Sequence, residues 1–184
     1  RDISGSKNYD AKDVLDEFNR QIKEEGNIDW GLAMHPYNVP LTSVRIWESS
    51  KYVKNSPDTP MVTMANIDVV TDYMQQEDFL TKEGEVRSVI LSELGYTSLQ
   101  GEEMQAAAIV YAYEIAESNP HIDSILFSRQ TDALEEMVQG LSLGLNNADG
   151  SHKYAYNVFK YMDTESADIY TSFAKSIIGI SEWP

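Results

Sequence analysis

The sequence predicts an α/β fold that is built on a parallel β-sheet. Short apolar runs alternate along the chain with longer segments whose apolar residues recur at helical spacing. The apolar runs are hydrophobic on both faces, which is typical of parallel strands covered by helices. Strands that alternate with helices join through right-handed crossovers. We therefore expect about four βα units in one partial domain that spans residues 1–184.

Each predicted strand is followed by a polar segment or a helix start. The strands are expected at residues 28–37, 61–65, 87–94 and 122–127. Asp10 is a good N-cap for a helix before the first strand, and Asn119-Pro120 ends a long helix before the last. Residues 38–59 form a long βα loop of the kind that is often functional, and residues 151–184 hold two C-terminal helices.

Two architectures accommodate four βα units. One is a small open sheet, and the other is half of a (β/α)₈ barrel, which takes about 250 residues when complete. A half barrel alone exposes two sheet edges and an apolar inner face. We expect that face to be covered by a second copy of the chain, by a missing N-terminal half, or by loops.

Composition narrows the possible partners. The net charge of -16 disfavours nucleic acid and anionic membranes, whereas it tolerates a neutral ligand such as a sugar. The longest apolar runs are far shorter than a membrane span. Cysteine is absent and the three histidines share no ligand spacing, so we expect neither a metal nor another cofactor.

The carboxyl ends of parallel strands meet at one edge of a sheet, where catalytic residues of barrels lie. Glu93 follows the apolar run Val89-Ile90-Leu91 and is the acid best placed at that edge. Hydrogen-bonding and aromatic side chains accompany it, a mixture that suits a sugar. The expected substrate-binding residues are His35, Tyr37, Asn66, Tyr96, Arg129 and, in the long loop, Trp47.

These motifs resemble the last four strands of clan A glycoside hydrolases. The resemblance is carried by His35-Pro36-Tyr37 after one strand, Asn66 after the next, and Ser92-Glu93 after the third. A closer resemblance is to a bacterial barrel family of unknown function that is related to these hydrolases. It covers nearly the whole chain through residues 30–37, 58–60, 91–95, 139–141 and 149–164.

The resemblance implies that the chain is strands 5–8, the C-terminal half of a TIM (β/α)₈ barrel. It further implies a carbohydrate substrate, a retaining two-carboxylate mechanism with Glu93 as nucleophile, and a parent protein that is secreted or on the cell surface. The acid/base of the clan is an Asn-Glu pair that ends the fourth strand, which falls upstream of Arg1. We therefore expect little or no hydrolysis from residues 1–184 alone.

Alternatives remain open at the level of single residues. Glu93 also fits a structural acid that pairs with Arg129, His35 fits a histidine of the barrel rim, and Trp47 fits an anchor for its loop. Glu135-Glu136 is typical of the solvated first turn of a helix. For the whole domain, the alternative is a non-catalytic carbohydrate-binding or structural barrel domain.

Overall fold

A computed structural model describes residues 10–48 and 50–184; residues 1–9 and 49 of the predicted domain lie outside it. Its sheet contains the parallel strands β1 (Leu32–Met34), β2 (Val89–Leu94) and β3 (Ile122–Phe127), in the order β1-β2-β3. The α-helices are α1 (Ala11–Glu24), α2 (Asp68–Met74), α3 (Glu102–Ser118), α4 (Leu134–Met137), α5 (Tyr154–Tyr161) and α6 (Ala167–Ile178). The predicted α/β class with a parallel sheet is confirmed, and the sequential strand order is consistent with part of a barrel.

The predicted strand at residues 61–65 is wrong. Met61 forms only an isolated bridge with Val53, and Met64–Asn66 is a 3-10 helix. The cause is a capping box at the start of this turn. Thr63 N–H donates to the Asn66 side-chain oxygen at 2.9 Å, and the Thr63 hydroxyl oxygen accepts from Ala65 N–H at 3.2 Å. The described residues therefore contain three strands in place of four, and β1 pairs directly with β2.

Helix α3 covers one face of the sheet. It is rich in alanine, and Ala106, Ala107, Ala108 and Ala112 are fully buried, which lets the helix approach its neighbours closely. Val89, Leu91 and Leu94 of β2 belong to the same buried cluster, to which α5 and α6 add Val158 and Ala174. Burying each valine or leucine side chain of this cluster contributes roughly 1.5–3 kcal/mol to the free energy of folding.

The other face of the sheet is open. Ala33, Ile90 and Ser124 are partners across the three strands, so they share a face, and Ala33 and Ser124 are exposed. Leu126, two residues beyond Ser124 in β3, is also exposed. In a closed barrel this face points inward. None of the helices in the described ranges is long and apolar enough to cross a membrane.

Candidate functional site

A bulge in β2 presents Glu93. Leu91 pairs with Ile125 and Leu94 pairs with Phe127, so β2 has one more residue than β3 across this interval. The extra residue lets Leu91 and Leu94 both enter the core, while Glu93 between them is exposed. Bulges of this kind re-aim side chains and are frequent beside functional sites.

Tyr37 hydrogen-bonds to Glu93. Strand β1 is shorter than its predicted span because Pro36 has no N–H and Tyr37 N–H instead donates to the His35 carbonyl at 2.9 Å. This turn places the Tyr37 hydroxyl where it donates a hydrogen bond to Glu93 Oε1 at 2.8 Å. Elsewhere in the described ranges no side chain hydrogen-bonds to Glu93, so Oε2 is available to a ligand.

The phenol of Tyr37 is kept neutral. Burial raises its pKa most, the hydrogen bond to Glu93 and the charge of that carboxylate raise it further, and the Ser128 side chain opposes the shift. The Glu136 carboxylate adds a smaller increase in the pKa, so Tyr37 lies within reach of two carboxylates. Tyr37 therefore acts as a hydrogen-bond donor that orients Glu93.

Tyr96 is buried in the core, near enough to Tyr37 for the two phenols to interact electrostatically. Its ring is buried against Phe127 with centroids 6.4 Å apart, and burial raises the pKa of its phenol, with a smaller contribution from Tyr37. Its hydroxyl is buried without a hydrogen-bond partner among the described residues. The prediction that Tyr96 contacts substrate is therefore corrected, because only 1% of the residue is exposed.

The ends of β2 and β3 are held close together. Ser128 N–H donates to the Leu94 carbonyl at 2.7 Å. The Ser128 carbonyl oxygen lies 2.2 Å from the position that a Cβ on Gly95 would take, so only glycine fits there. This approach places Arg129, the next residue, beside the end of β2. The Ser128-Arg129 peptide bond is cis.

Arg129 forms an ion pair with Glu136 of α4 and not with Glu93. The guanidinium donates through Nη2 to Glu136 Oε1. The expectation that Glu136 is a solvated helix residue is thus wrong, since the described structure leaves its Oε2 buried. Sequence reasoning missed Glu136 as a site residue, although its position seven residues after Arg129 is a signal that the pairing is possible.

A buried ion pair fixes the segment that carries Arg129. Lys153 Nζ lies 2.8 Å from Asp132 Oδ2, and both side chains are almost completely buried. Asp132 also accepts from Ser142 Oγ at 2.6 Å and from Gly144 N–H at 2.7 Å. The loop after β3 is therefore tied to residues 142–153 at several points.

The remaining predicted site residues lie elsewhere. Asn66 is buried, where its amide donates to the Lys54 and Met61 carbonyls, so its predicted place at a strand end is corrected. The Trp47 ring packs edge-on against Tyr111 of α3 at 6.2 Å, as expected of a loop anchor. His35 is exposed beside an apolar cavity of about 490 Å³ between α1, β1 and α2.

The described residues offer no group of three or more His, Asp or Glu side chains that could hold a metal ion. The site offers the chemistry of carboxylates, a phenol and a guanidinium, which is nucleophilic attack, charge stabilisation and hydrogen bonding. Glu93 supplies a nucleophilic or charge-stabilising oxygen, Tyr37 supplies a hydrogen bond, and Arg129 with Glu136 supplies a donor and an acceptor for hydroxyl groups.

Comparison with known proteins adds a family and a fold. Residues 1–184 match the family of unknown function DUF5722. The chain belongs to this family. A search of curated proteins found no match.

The fold of this DUF5722 chain is similar to a solved glycoside hydrolase. The neighbour is a family 39 enzyme from the gut symbiont Bacteroides cellulosilyticus WH2, with a TM-score of 0.55 and 18% sequence identity. The match covers 76% of this chain and 28% of the neighbour, so the chain spans less than a third of that enzyme's length. At this identity the likeness is one of fold alone, and it supports the glycoside hydrolase-like fold that the motifs predicted.

Proposed function

We propose that this DUF5722 chain carries the nucleophile of a glycoside hydrolase-like barrel, and that the nucleophile is Glu93. The observation that carries the proposal is the 2.8 Å hydrogen bond from Tyr37 to Glu93 at the carboxyl ends of adjacent strands. With three strands in place of four, β1, β2 and β3 correspond to strands 6, 7 and 8 of a barrel. Glu93 stays on the seventh, and Tyr37 reaches it from the sixth.

In the proposed reaction Glu93 Oε2 attacks the anomeric carbon of the sugar. The bond from that carbon to the leaving oxygen breaks, a carboxylic acid protonates this oxygen, and a glycosyl ester forms on Glu93. Water then gives a proton to the carboxylate left by that acid and attacks the same carbon, which releases the Glu93 carboxylate, with net retention of configuration. Tyr37 holds Oε1 throughout, so that the free oxygen is presented to the sugar.

Two further acids, one in the long loop and one after β3, do not fit the role of acid/base. Glu48 pairs with Arg45 at 3.2 Å on the surface, and Asp132 is buried with Lys153. A retaining site needs its two carboxyl groups about 5–5.5 Å apart. We assign the acid/base to βα units of the barrel other than those that carry β1, β2 and β3.

Chemical rescue in the full-length protein tests this function. Glu93→Ala is expected to abolish hydrolysis of aryl glycosides, because no carboxylate remains to form the ester. Added azide then restores turnover and yields a glycosyl azide of inverted configuration. The matched control is Glu48→Ala, an exposed acid, which should leave the rate unchanged. Full activity in Glu93→Ala without azide would refute the proposal.

A carbohydrate-binding domain without catalysis is the second candidate. It is favoured by the fact that Glu93 and Glu136 both have protein partners, Tyr37 and Arg129, within the described ranges. Such a site binds hydroxyl groups without an acid to protonate a leaving oxygen. Glycan binding by the full-length protein, with no turnover even of dinitrophenyl glycosides, would favour this candidate over the hydrolase.

A further inference from the structure

We propose that the Arg129–Glu136 ion pair makes the Glu93 site select uncharged sugars over sugars that carry a carboxylate. This inference rests on the proposed function, because it concerns the sugar that the same site accepts. A ligand can contact both paired side chains, since 39% of the Arg129 side chain and 29% of the Glu136 side chain are exposed.

Without Glu136, Arg129 would be well suited to bind the carboxylate of a ligand. A guanidinium presents its N–H groups as a rigid fork that matches a carboxylate with two hydrogen bonds. Here Glu136 already occupies Nη2, so the positive charge of Arg129 is balanced from within the protein. A sugar carboxylate would have to displace Glu136 and leave a partly buried acid without its partner.

The charges around Tyr37 point the same way. Its phenol donates to Glu93 at 2.8 Å, and the charge of the Glu136 carboxylate also raises the pKa of the phenol, so both acids act on Tyr37. With Arg129 counted, the group carries a net charge of -1 from two carboxylates and one guanidinium. A uronic acid would bring a third carboxylate to this place, and like charges that are brought together are repelled.

A neutral sugar meets no such penalty. The ion pair is joined by one hydrogen bond, from Arg129 Nη2 to Glu136 Oε1, so in the described structure Arg129 Nη1 can still donate and Glu136 Oε1 can still accept, whereas Arg129 Nε and Glu136 Oε2 are buried. A donor and an acceptor on neighbouring side chains match the hydroxyl groups of a sugar, each of which both donates and accepts. The pair is thus suited to hydroxyl recognition and unsuited to a second anion.

A purely structural pair would stabilise α4 without affecting selectivity. The test therefore measures selectivity, using ligands that differ only at C6, where a hydroxymethyl group is replaced by a carboxylate. Methyl glucoside and methyl glucuronide form one such set, and methyl galactoside and methyl galacturonide form another. Their dissociation constants for the full-length protein are measured by titration in NMR spectra, which also report whether each variant is folded.

The wild-type protein should bind the neutral member of at least one set about tenfold or more tightly than its uronide. Glu136→Gln should reduce that preference about tenfold, because it leaves Arg129 free to bind a carboxylate. Glu135→Gln, which removes an exposed neighbouring acid of the same helix, should leave the preference unchanged. If Glu136→Gln does not fold, Arg129→Gln replaces it and should increase the rejection of uronides.

Three outcomes would overturn the inference. A wild-type protein that prefers uronides contradicts the selectivity while leaving a carbohydrate site intact. An unchanged preference in folded Glu136→Gln shows that the pair serves structure alone. Failure of every sugar to bind removes the proposed function and the inference with it.

Discussion

At the scale of single residues, Tyr37 and Glu93 form the contact on which the site depends. The phenol is half-buried and the carboxylate is exposed, so the hydrogen bond lies at the boundary between protein and solvent. A carboxylate that is held through one oxygen by a single donor is oriented and keeps its second oxygen free for a ligand. That combination is what a nucleophile or a charge-stabilising group requires.

The pKa of Tyr37 reports the contact between Tyr37 and Glu93. Glu93→Gln should lower the pKa of Tyr37, because a nearby negative charge and a hydrogen bond to it both oppose formation of the phenolate. Burial persists in the variant, so the pKa stays above that of a free tyrosine. The ring carbon that bears the hydroxyl reports the titration by NMR, followed up to the pH at which the chain still folds.

Glu136→Gln should also lower the pKa of Tyr37, but by less, since Glu136 acts through charge alone. Glu135→Gln is the control and should leave the titration unchanged. Identical titrations in the wild type and in Glu93→Gln would mean that the hydrogen bond between Tyr37 and Glu93 does not form in solution.

Sequence reasoning found part of this site and missed the rest for physical reasons. Glu93 and Tyr37 were predicted because residues at strand ends share one edge of a sheet. Arg129 was named without its partner, because Glu136 reaches it through a turn that no periodic pattern describes. Asn66 was misplaced because a run of apolar residues does not reveal whether a capping box will bend it.

At the scale of elements, the junction between β2 and β3 requires Gly95. A Cβ there would lie 2.2 Å from the Ser128 carbonyl oxygen, a backbone atom that moves only with its strand. Gly95→Ala should therefore destabilise the fold by about 1–3 kcal/mol or more. Because Ser128 precedes Arg129, the substitution should also shift NMR signals of Arg129 and Glu136.

Gly31→Ala is the graded control for Gly95→Ala in urea unfolding. Its Cβ would lie 3.1 Å from the Ser88 carbonyl oxygen, a distance that a small adjustment accommodates. A Gly95→Ala variant that is as stable as Gly31→Ala would contradict the close approach of the two strand ends.

The buried Asp132–Lys153 pair holds the loop after β3 against residues 142–153. Asp132→Ala should cost about 3–5 kcal/mol in the free energy of unfolding, because it leaves a buried ammonium without its counter-charge. Adding Lys153→Met should restore part of the loss, since the uncompensated charge is then removed. Urea unfolding of both single variants and of the double variant gives the coupling between them.

The surface pair of Glu17 with Arg20 is the control for that cycle. Its members are 53% and 54% exposed, so Glu17→Ala should change stability little. Equal effects of Asp132→Ala and Glu17→Ala would show that the segment after β3 is not held by the buried pair.

Elements with a strong pattern were predicted well, and those with a local conflict were not. Strand β3 has the predicted bounds, and Asp10 caps α1 as expected, accepting from Lys12 N–H at 3.0 Å. α3 confirms the long helix that Asn119-Pro120 was predicted to end. The strand at residues 61–65 failed because its apolar side chains are needed by the core whether the backbone is extended or turned, so hydrophobicity did not decide between the two.

At the scale of the whole molecule, the sheet has an open face and a free edge. Strand β1 is at the edge of the described sheet, next to the cavity of about 490 Å³. Half of Leu126 is exposed on the open face of β3, and 46% of Phe18 is exposed on α1. We propose that further βα units of the same barrel cover these surfaces, in preference to a second copy of the chain.

Residues 1–184 alone should therefore bind a dye that fluoresces on apolar surfaces, or associate in sedimentation experiments. A longer polypeptide that includes the further barrel units should be monomeric and bind little dye, because its inner face is closed. A monomer of residues 1–184 that binds no dye would contradict the proposed barrel and favour the small open sheet.

Covalent trapping tests the role of Glu93 most directly. A 2-fluoro glycoside with a dinitrophenyl leaving group needs no protonation to react, so it isolates the nucleophile from the acid. The full-length protein is incubated with such compounds from several sugars, digested, and analysed by mass spectrometry. We predict a glycosyl adduct on Glu93 that is lost in Glu93→Gln. An adduct on a different carboxylate, with Glu93 unmodified, would contradict the assignment of the nucleophile.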